Sequence, residues 1–240
     1  MNANPFSLWV YLSQTPLLWL TVTLVVYAIA DAASLATHRH ALMNPVLHSI
    51  WILGVFLYLT GTSYTVYFSG AQFVHFLLGP ATVALAVPLY ESRKLVMSAI
   101  VPMLMALMVG SLTAIVSVIL LSEAAALPRE VVLSLAPKSV TAGVAMGISE
   151  MLGANPAITA VSTALTGIMG AIVVTPAMNA LGITDFRARG FAAGLASHGI
   201  GTARAFQVNE VAGAFAGIAM GLNALVTSLL VPIAVTLLVK

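Results

Sequence analysis

The 240-residue chain is 60% hydrophobic and only 7% charged, which is too apolar for a water-soluble domain of this size. It contains no cysteine, so disulfides, thiolate metal sites and cysteine nucleophiles are excluded. Its net charge of +2 comes from basic residues in short loops, which indicates membrane topology and argues against nucleic-acid binding. We therefore expect one integral membrane domain over residues 1–240.

Five apolar stretches are long enough to form spanning helices, each of which needs about 20 residues. In chain order they cover residues 17–36, 45–61, 95–121, 156–180 and 211–239. Loops are expected at residues 38–40, 61–70, 91–94, 122–130 and 181–190. The aromatic side chains of residues 5–14 indicate a segment at the membrane interface. Asn44-Pro45 and Asn155-Pro156 are each typical of a helix cap followed by a first turn. The expected fold is an all-α polytopic membrane protein.

Three further apolar segments are interrupted by proline, glycine or polar residues. They cover residues 71–90, 131–150 and 191–206. A broken helix at membrane depth is tolerated only where it lines a cavity or packs inside protein. Each segment is long enough either to cross the bilayer as two half-helices or to re-enter and leave on one side. If the first two re-enter, most loop arginine and lysine residues share one side and the N-terminus is cytoplasmic, and we favour this arrangement.

An offset of 57 residues aligns the first two broken segments. It places Leu78-Gly-Pro-Ala-Thr-Val83 on Leu135-Ala-Pro-Lys-Ser-Val140, and Gly110 on Gly167. The predicted repeats cover approximately residues 73–121 and 131–180, and re-entrant segments would give them inverted topology. Interruptions at corresponding positions of two repeats are the best sequence indication of a transporter binding site.

Basic side chains beside the breaks are the main candidates for ligand binding. Lys138 follows Pro137, and Arg204 follows a glycine-containing interruption. Half-helix N-termini present unpaired N–H groups and a positive dipole end, and a nearby cation makes such a site suited to a small carboxylate. The predicted substrate-binding residues are Pro80, Thr82, Pro137, Lys138, Ser139, Thr141, His198, Gly199, Gly201, Thr202 and Arg204.

Each charged candidate also has a structural interpretation. Lys138 could reach an interface or pair with Glu130 or Glu150, and Arg204 could be an interface residue paired with Glu210.

Two residues are candidates for ion coupling, His198 and Glu150. An imidazole has an ordinary pKa near 6.5, which suits a proton relay, although a histidine among glycines is often only a satisfied polar residue. Glu150 closes the second broken segment and could equally be exposed in a loop. The coupling ion is expected to be H⁺ or Na⁺.

Ser134 and Lys138 have the spacing of a serine–lysine pair, which would suit hydrolysis. Pro137 between them prevents a continuous helix from holding that geometry, and no oxyanion hole is recognisable. We therefore expect no enzymatic activity, no cofactor and no metal site.

Three ordered motifs together resemble the LrgB/CidB family of bacterial membrane proteins over nearly the whole chain. They are Leu78-Gly-Pro-Ala-Thr-Val83 with Pro88-Leu-Tyr90, Ser134-Leu-Ala-Pro-Lys-Ser-Val-Thr141, and Ser197-His-Gly-Ile-Gly-Thr-Ala-Arg204. The chain is also similar to the C-terminal half of the plastid glycolate/glycerate transporter. Thr141-Ala-Gly143 stands where the family often has Thr-Thr-Pro, a departure that bears on substrate preference.

The resemblance implies a multi-pass protein of the bacterial inner (cytoplasmic) membrane, and it implies two functions. Some members are described as antiholin-like modulators of murein hydrolase activity and autolysis that act with a small LrgA/CidA-type holin-like partner. Others are linked to transport of small carboxylates such as pyruvate, glycolate and glycerate. Because broken helices, intramembrane cations and an internal repeat are costly, the expected function is secondary transport of a small monocarboxylate. The alternative is the antiholin-like regulator, and a homo-oligomer is compatible with both.

Overall fold

The structure is a computed structural model that describes residues 15–77, 80, 83–84, 86–91 and 93–239. Over these ranges the chain is helical, and they contain no β-strand. The chain divides into two compact units, residues 1–84 and residues 85–240, and each is described by itself. The predicted interfacial segment at residues 5–14 lies outside the described residues.

Within residues 15–77, the first unit contains three helices and a short 3₁₀ turn. They are α1 (Pro16–Ala36), the 3₁₀ turn (Ala41–Met43), α2 (Pro45–Thr60) and α3 (Tyr64–Phe76). The predicted Asn44-Pro45 start of α2 is confirmed, because the Asn44 side chain accepts the N–H of Val46 at 2.9 Å. The fully buried Trp19 of α1 packs edge-on against Phe56 and Tyr67, which ties the three helices together.

The predicted loop over residues 61–70 is wrong. Gly61 ends α2 in the left-handed conformation, and Ser63 caps the N–H of Val66 to begin α3. Residues 64–70 are therefore helical, and Gly70 lets α3 approach the backbone of Pro16 closely. Aromatic residues among Ser and Thr are typical of a loop, but here the segment is a helix that packs against α1 through Tyr67 and Gly70.

The second unit contains eight helices within its described residues. They are α4 (Ala86–Glu91), α5 (Arg93–Ser98), α6 (Ile100–Ala124), α7 (Arg129–Leu135), α8 (Ala142–Met151), α9 (Pro156–Ala180), α10 (Phe186–Val208) and α11 (Glu210–Leu238). The predicted loop at residues 91–94 is corrected, because α5 already begins at Arg93 and the interruption before α6 falls at Ala99. The predicted helix over residues 156–180 has the bounds of α9.

Among the described helices, four are long and apolar enough to cross a membrane: α1, α6, α9 and α11. The fifth predicted span corresponds to α2, whose 16 residues are about 24 Å long and fall short of the usual spanning length. The first broken segment, residues 71–90, begins inside α3. Leu78, Gly79, Ala81 and Thr82 lie outside the described residues, so its course stays a prediction.

Two hydrophobic clusters define the opposite ends of the second unit. The near end joins the beginnings of α6 and α11 to α10, through Met103, Leu107, Phe191, Leu195, Phe215 and Ala219. The far end joins the later parts of α6 and α11 to α7 and α8, through Ile115, Ile119, Val132, Val140, Ala145, Ile148, Val231 and Val235. Thus α6 and α11 run parallel from the near end to the far end. In α9, Thr159 contacts α7 and Val174 contacts the near half of α10, so α9 runs in the opposite direction.

The second broken segment turns back inside the unit. It enters at the far end as α7, turns through residues 136–141, and returns to the far end as α8. The end of α8 lies beside α7, because Leu152 packs against the far-end cluster that contains Val132 and Leu133, and the hydroxyl of Ser134 accepts the N–H of Asn155 at 3.0 Å. This re-entrant course agrees with the arrangement favoured from the loop charges.

The third broken segment, contained in α10, also turns back. His198 has φ 40° and ψ −133°, so the helix breaks there into two arms. A Cβ at Gly201 would lie 2.5 Å from the carbonyl oxygen of Ala193, although residues eight apart in a straight helix are separated by about 12 Å. The end of the returning arm lines the same small pocket as Phe186 and Gly190, where the segment begins. The segment therefore re-enters from the near end.

Candidate functional site

The tips of the two re-entrant hairpins meet at Asn223 of α11. The Asn223 side-chain N–H₂ donates to the carbonyl oxygen of Ser139 at 3.2 Å and to that of Leu195 at 3.0 Å. Its side-chain oxygen accepts the hydroxyl of Ser111 at 2.7 Å and that of Thr227 at 3.0 Å. The side chain is 1% exposed, and its amide makes four hydrogen bonds. One residue therefore connects α6, α11 and both hairpins.

This meeting point lies in the middle of the spanning helices. Asn223 is 13 residues after Glu210 and 15 residues before Leu238, the two ends of α11. Ser111 and Gly167 lie equally near the middle of α6 and α9. At about 1.5 Å per residue, the hairpin tips are about 20 Å from either end of α11. The interruptions are thus at the centre of the bilayer region.

The tip of the α7–α8 hairpin brings together four predicted site residues, Pro137, Lys138, Ser139 and Thr141. Thr141 occupies the cap position of α8, but its side chain does not cap the helix. A Cβ placed at Gly143 would have no described atom within 4 Å, so the first turn of α8 is open. This tip therefore presents a helix N-terminus and a lysine together.

Lys138 forms no ion pair with Glu130 or Glu150, the acidic partners that the sequence offers. It is half-buried, and its ammonium makes no hydrogen bond to any residue that the structure describes. Glu150 is exposed, as its structural interpretation expects, but it lies in the last turn of α8 and not in a loop. Lys138 is therefore a half-buried cation at the hairpin tip, without an ion pair to a described residue.

The tip of the α10 hairpin is packed more tightly. His198 is 5% exposed, and its Nε2 lies 2.9 Å from the carbonyl oxygen of Thr163. Because a carbonyl only accepts, Nε2 carries the hydrogen of this bond. A Cβ at Gly167 would lie 2.6 Å from the imidazole, so α9 closes over the ring. The imidazole is thus held in place by α9.

The other predicted residues of this hairpin have different positions. The Thr202 hydroxyl donates to the His198 carbonyl at 2.9 Å and so supports the kink. Gly201 contacts the first arm, whereas Gly199 is exposed at the tip. Arg204 lies at the base of the hairpin, in a small pocket that Arg189 also lines, whereas Lys138 lies at the tip of the other hairpin. Of the residues predicted upstream, Pro80 is exposed in the first unit and Thr82 lies outside the described residues.

The model of the LrgB-like family matches residues 23–237. The chain belongs to the LrgB-like family. Its relatives include YwbG of Bacillus subtilis, which is 35% identical over 77% of this chain and 82% of its own length. The antiholin-like protein LrgB of Bacillus mycoides is 31% identical, and the holin-like protein CidB of Staphylococcus epidermidis is 29% identical. Both alignments cover 92% of this chain and 96% of the relative. No solved structure matches the chain.

Asn223, Ser111 and Thr227 are candidate site residues of this LrgB-like protein that the motifs do not reveal, whereas Ser139 is among the residues that the sequence predicts. An asparagine in the middle of a 29-residue apolar helix is costly unless all its polar atoms are paired, and this was the available signal. Ser111 is 112 residues from Asn223 in the chain, and the motif that contains Ser139 does not show that Asn223, 84 residues later, binds it.

A groove runs from the near end of the LrgB-like fold towards the α10 tip. Its volume is about 730 Å³, and it lies between the start of α6 and the first arm of α10. Its lining is mostly apolar and extends from the ion pair of Asp185 and Arg187 to Gly110, Leu195 and Ala196. Hydrogen bonds from Arg187 hold the pKa of the Asp185 carboxyl below its usual value. The groove thus has a charged mouth and an inner end beside the hairpin tip.

Proposed function

We propose that this protein is a secondary transporter of a small monocarboxylate of the glycolate, glycerate or pyruvate type, coupled to H⁺ or Na⁺, in the bacterial inner membrane. The observation that carries the proposal is the pair of re-entrant hairpins that enter from opposite ends and meet at Asn223. Irregular backbone at this depth is found where it lines a site or a path. A protein that only regulated others would have no need of it.

The charges at the tips favour an anion. The returning arm of each hairpin begins at its tip, α8 at Ala142 and the second arm of α10 at Gly199. The positive dipole ends of two half-helices therefore lie at mid-membrane. Lys138 adds a full positive charge beside the first of them. A small carboxylate matches this arrangement in sign and in its capacity to accept several N–H bonds.

The predicted inverted repeat also favours transport. Gly110 of α6 and Gly167 of α9 correspond under the 57-residue offset, and the two helices run in opposite directions. Both glycines pack against the first arm or the tip of α10, at Leu195 and His198. Two helices related in this way around one central element would suit alternating access.

Hydrolysis is a poorer explanation of the same residues. The Ser134 hydroxyl donates to the Glu130 carbonyl at 2.7 Å and accepts the N–H of Asn155. Its hydrogen is therefore already engaged and is not directed at Lys138. We propose that the protein is not an enzyme.

The second candidate function is an antiholin-like regulator of murein hydrolase activity that acts with an LrgA/CidA-type membrane partner. It is favoured by the names of relatives, holin-like CidB and antiholin-like LrgB, which speak for it more directly than for carboxylate transport. In that case the tips would be structural, and Lys138 would serve contact with the partner.

Liposomes that contain purified protein distinguish the two functions. Uptake of radiolabelled glycolate, glycerate and pyruvate is measured with an imposed pH or Na⁺ gradient, with and without an LrgA/CidA-type partner. Saturable uptake by the protein alone is expected for the transporter. The absence of uptake, together with partner-dependent leakage of a trapped dye, would favour the regulator and contradict transport.

A further inference from the structure

Two buried carbonyl groups at the hairpin tips need donors from outside their own hairpins. Leu195 lies in the last turn of the first arm of α10, where carbonyls have no helical partner. Ser139 lies in the turn between α7 and α8. An unpaired carbonyl at mid-membrane depth costs several kcal/mol on the general scale of such groups. The two hydrogens on Nδ2 of Asn223 supply one bond to each.

The orientation of the Asn223 amide is determined by these partners. Both carbonyls can only accept, so the N–H₂ group must face them and the oxygen must face Ser111 and Thr227. The amide also hydrogen-bonds the carbonyls of Ser139 and Leu195. The N–H ends of the returning arms, by contrast, stay open at Gly143 and Gly199. What remains exposed at the tips is therefore electropositive.

We propose that Asn223 is a positioning residue that joins the two hairpin tips into one anion site. It is 1% exposed and does not itself touch the substrate. Its two N–H bonds fix the distance between the half-helix N-termini. They also occupy the carbonyl oxygens of Ser139 and Leu195, which would otherwise compete with the substrate anion for a cation. The part of the inference that concerns substrate rests on the proposed transport, whereas the joining of the tips does not.

The test separates the donor side of the amide from its acceptor side. Asn223→Leu keeps a similar volume and removes both bonds to the tips. The matched control, Ser111→Ala with Thr227→Val, removes the two bonds to the amide oxygen and keeps the bonds to the tips. If Asn223→Leu does not fold, Asn223→Asp takes its place, because its carboxyl keeps the acceptor side.

The readout is the distance between the tips. Cysteines for spin labels are introduced as Gly143→Cys and Gly199→Cys in this cysteine-free chain, at exposed positions where a Cβ has nothing closer than 3.9 Å. Electron paramagnetic resonance of protein in lipid nanodiscs then gives the distance distribution. We expect a single narrow distribution in the parent and in the control, and a longer or clearly broader one in Asn223→Leu.

Transport is measured on the same variants without labels. Asn223→Leu is expected to raise the apparent KM for carboxylate about tenfold, whereas the control changes it little. An unchanged tip distance in Asn223→Leu would overturn the proposal, and failure of both Asn223 variants to fold would replace it by a folding role. If the parent shows no uptake but the tip distance responds as expected, the proposed transport fails and the bridge between the tips stands.

Discussion

The two hairpin tips reach the same depth by different means. The α7–α8 tip turns at Pro137, holds a half-buried lysine, and leaves the start of α8 open at Gly143. The α10 tip turns at His198, whose positive φ is unfavourable for a residue with a Cβ, and Gly167 lets α9 close over it. The first tip is therefore open, whereas the second is tightly packed around a strained turn.

The largest expected effect comes from replacing the titratable residue of each tip, Lys138 or His198. Lys138→Ala removes the only full charge at the first tip and should lower carboxylate uptake at least about 30-fold, because a charged partner is lost at membrane depth. His198→Gln can still donate to Thr163 and should retain substrate binding. It should lose accumulation driven by a pH gradient if His198 carries the coupled proton.

Uptake and substrate counterflow in liposomes measure both effects, with membrane content determined by immunoblot. The comparison between the tips is broken if Lys138→Ala takes up carboxylate with unchanged KM. If His198→Gln responds to a pH gradient as the parent does, His198 has only a structural role at its tip. The coupling ion is then Na⁺, or the proton relay lies elsewhere.

The next effect tests whether the hairpins enter from opposite sides. Met151 is exposed at the far end of the second unit, and Leu181 is exposed at the near end. We expect residues 91–94 and 181–190 to be cytoplasmic. In cells whose outer membrane alone is permeabilised, Met151→Cys should then react with a membrane-impermeant thiol reagent. Leu181→Cys should react only after the inner membrane is opened. Labelling of both from the same side would contradict the opposed entry.

A smaller effect is expected from adding one methyl group at each tip. Gly167→Ala places a Cβ 2.6 Å from the His198 ring and should destabilise the protein by about 1–3 kcal/mol. Gly143→Ala meets nothing within 4 Å and should be neutral or slightly stabilising, because alanine is the better helix former. Thermal unfolding in detergent compares them, and equal melting temperatures would show that the second tip is not tightly packed.

The smallest effect is expected at the mouth of the groove, far from both tips. The exposed pair of Asp185 and Arg187 should contribute little to stability, so Asp185→Asn should shift the melting temperature less than Gly167→Ala does. Because the pKa of the folded Asp185 carboxyl is lowered, its contribution is present above the unfolded pKa, near 4, and is lost as the pH falls through the folded value. Melting curves at pH 7 and at acidic pH check the sign. If Asp185→Asn lowers the melting temperature at neutral pH more than Gly167→Ala does, the ranking is reversed.

The sequence predicts the breaks of the second and third broken segments, whereas the course of the first stays a prediction and the residue that joins the two tips is not predicted. Proline, glycine and Asn-Pro signals are local, so α9, the turn at Pro137 and the break near His198 follow from neighbouring residues. The first turns of α3, residues 64–70, were predicted as a loop because their contacts with α1, such as that of Tyr67 with Trp19, are not encoded in the local sequence. The hydrogen bonds of Asn223 join it to Ser139 and Leu195, which are 84 and 28 residues away in the sequence, and no local pattern encodes them.

The position of Asn223 in the last described helix has a consequence for biosynthesis. Every carbonyl and hydroxyl that it binds, except that of Thr227, belongs to a segment that the ribosome makes earlier, beginning with Ser111. Both hairpins are therefore synthesised before their shared donor, and the tip carbonyls lack this partner until α11 packs against them. The central site can be completed only when α11, the last of these helices to be made, is in place.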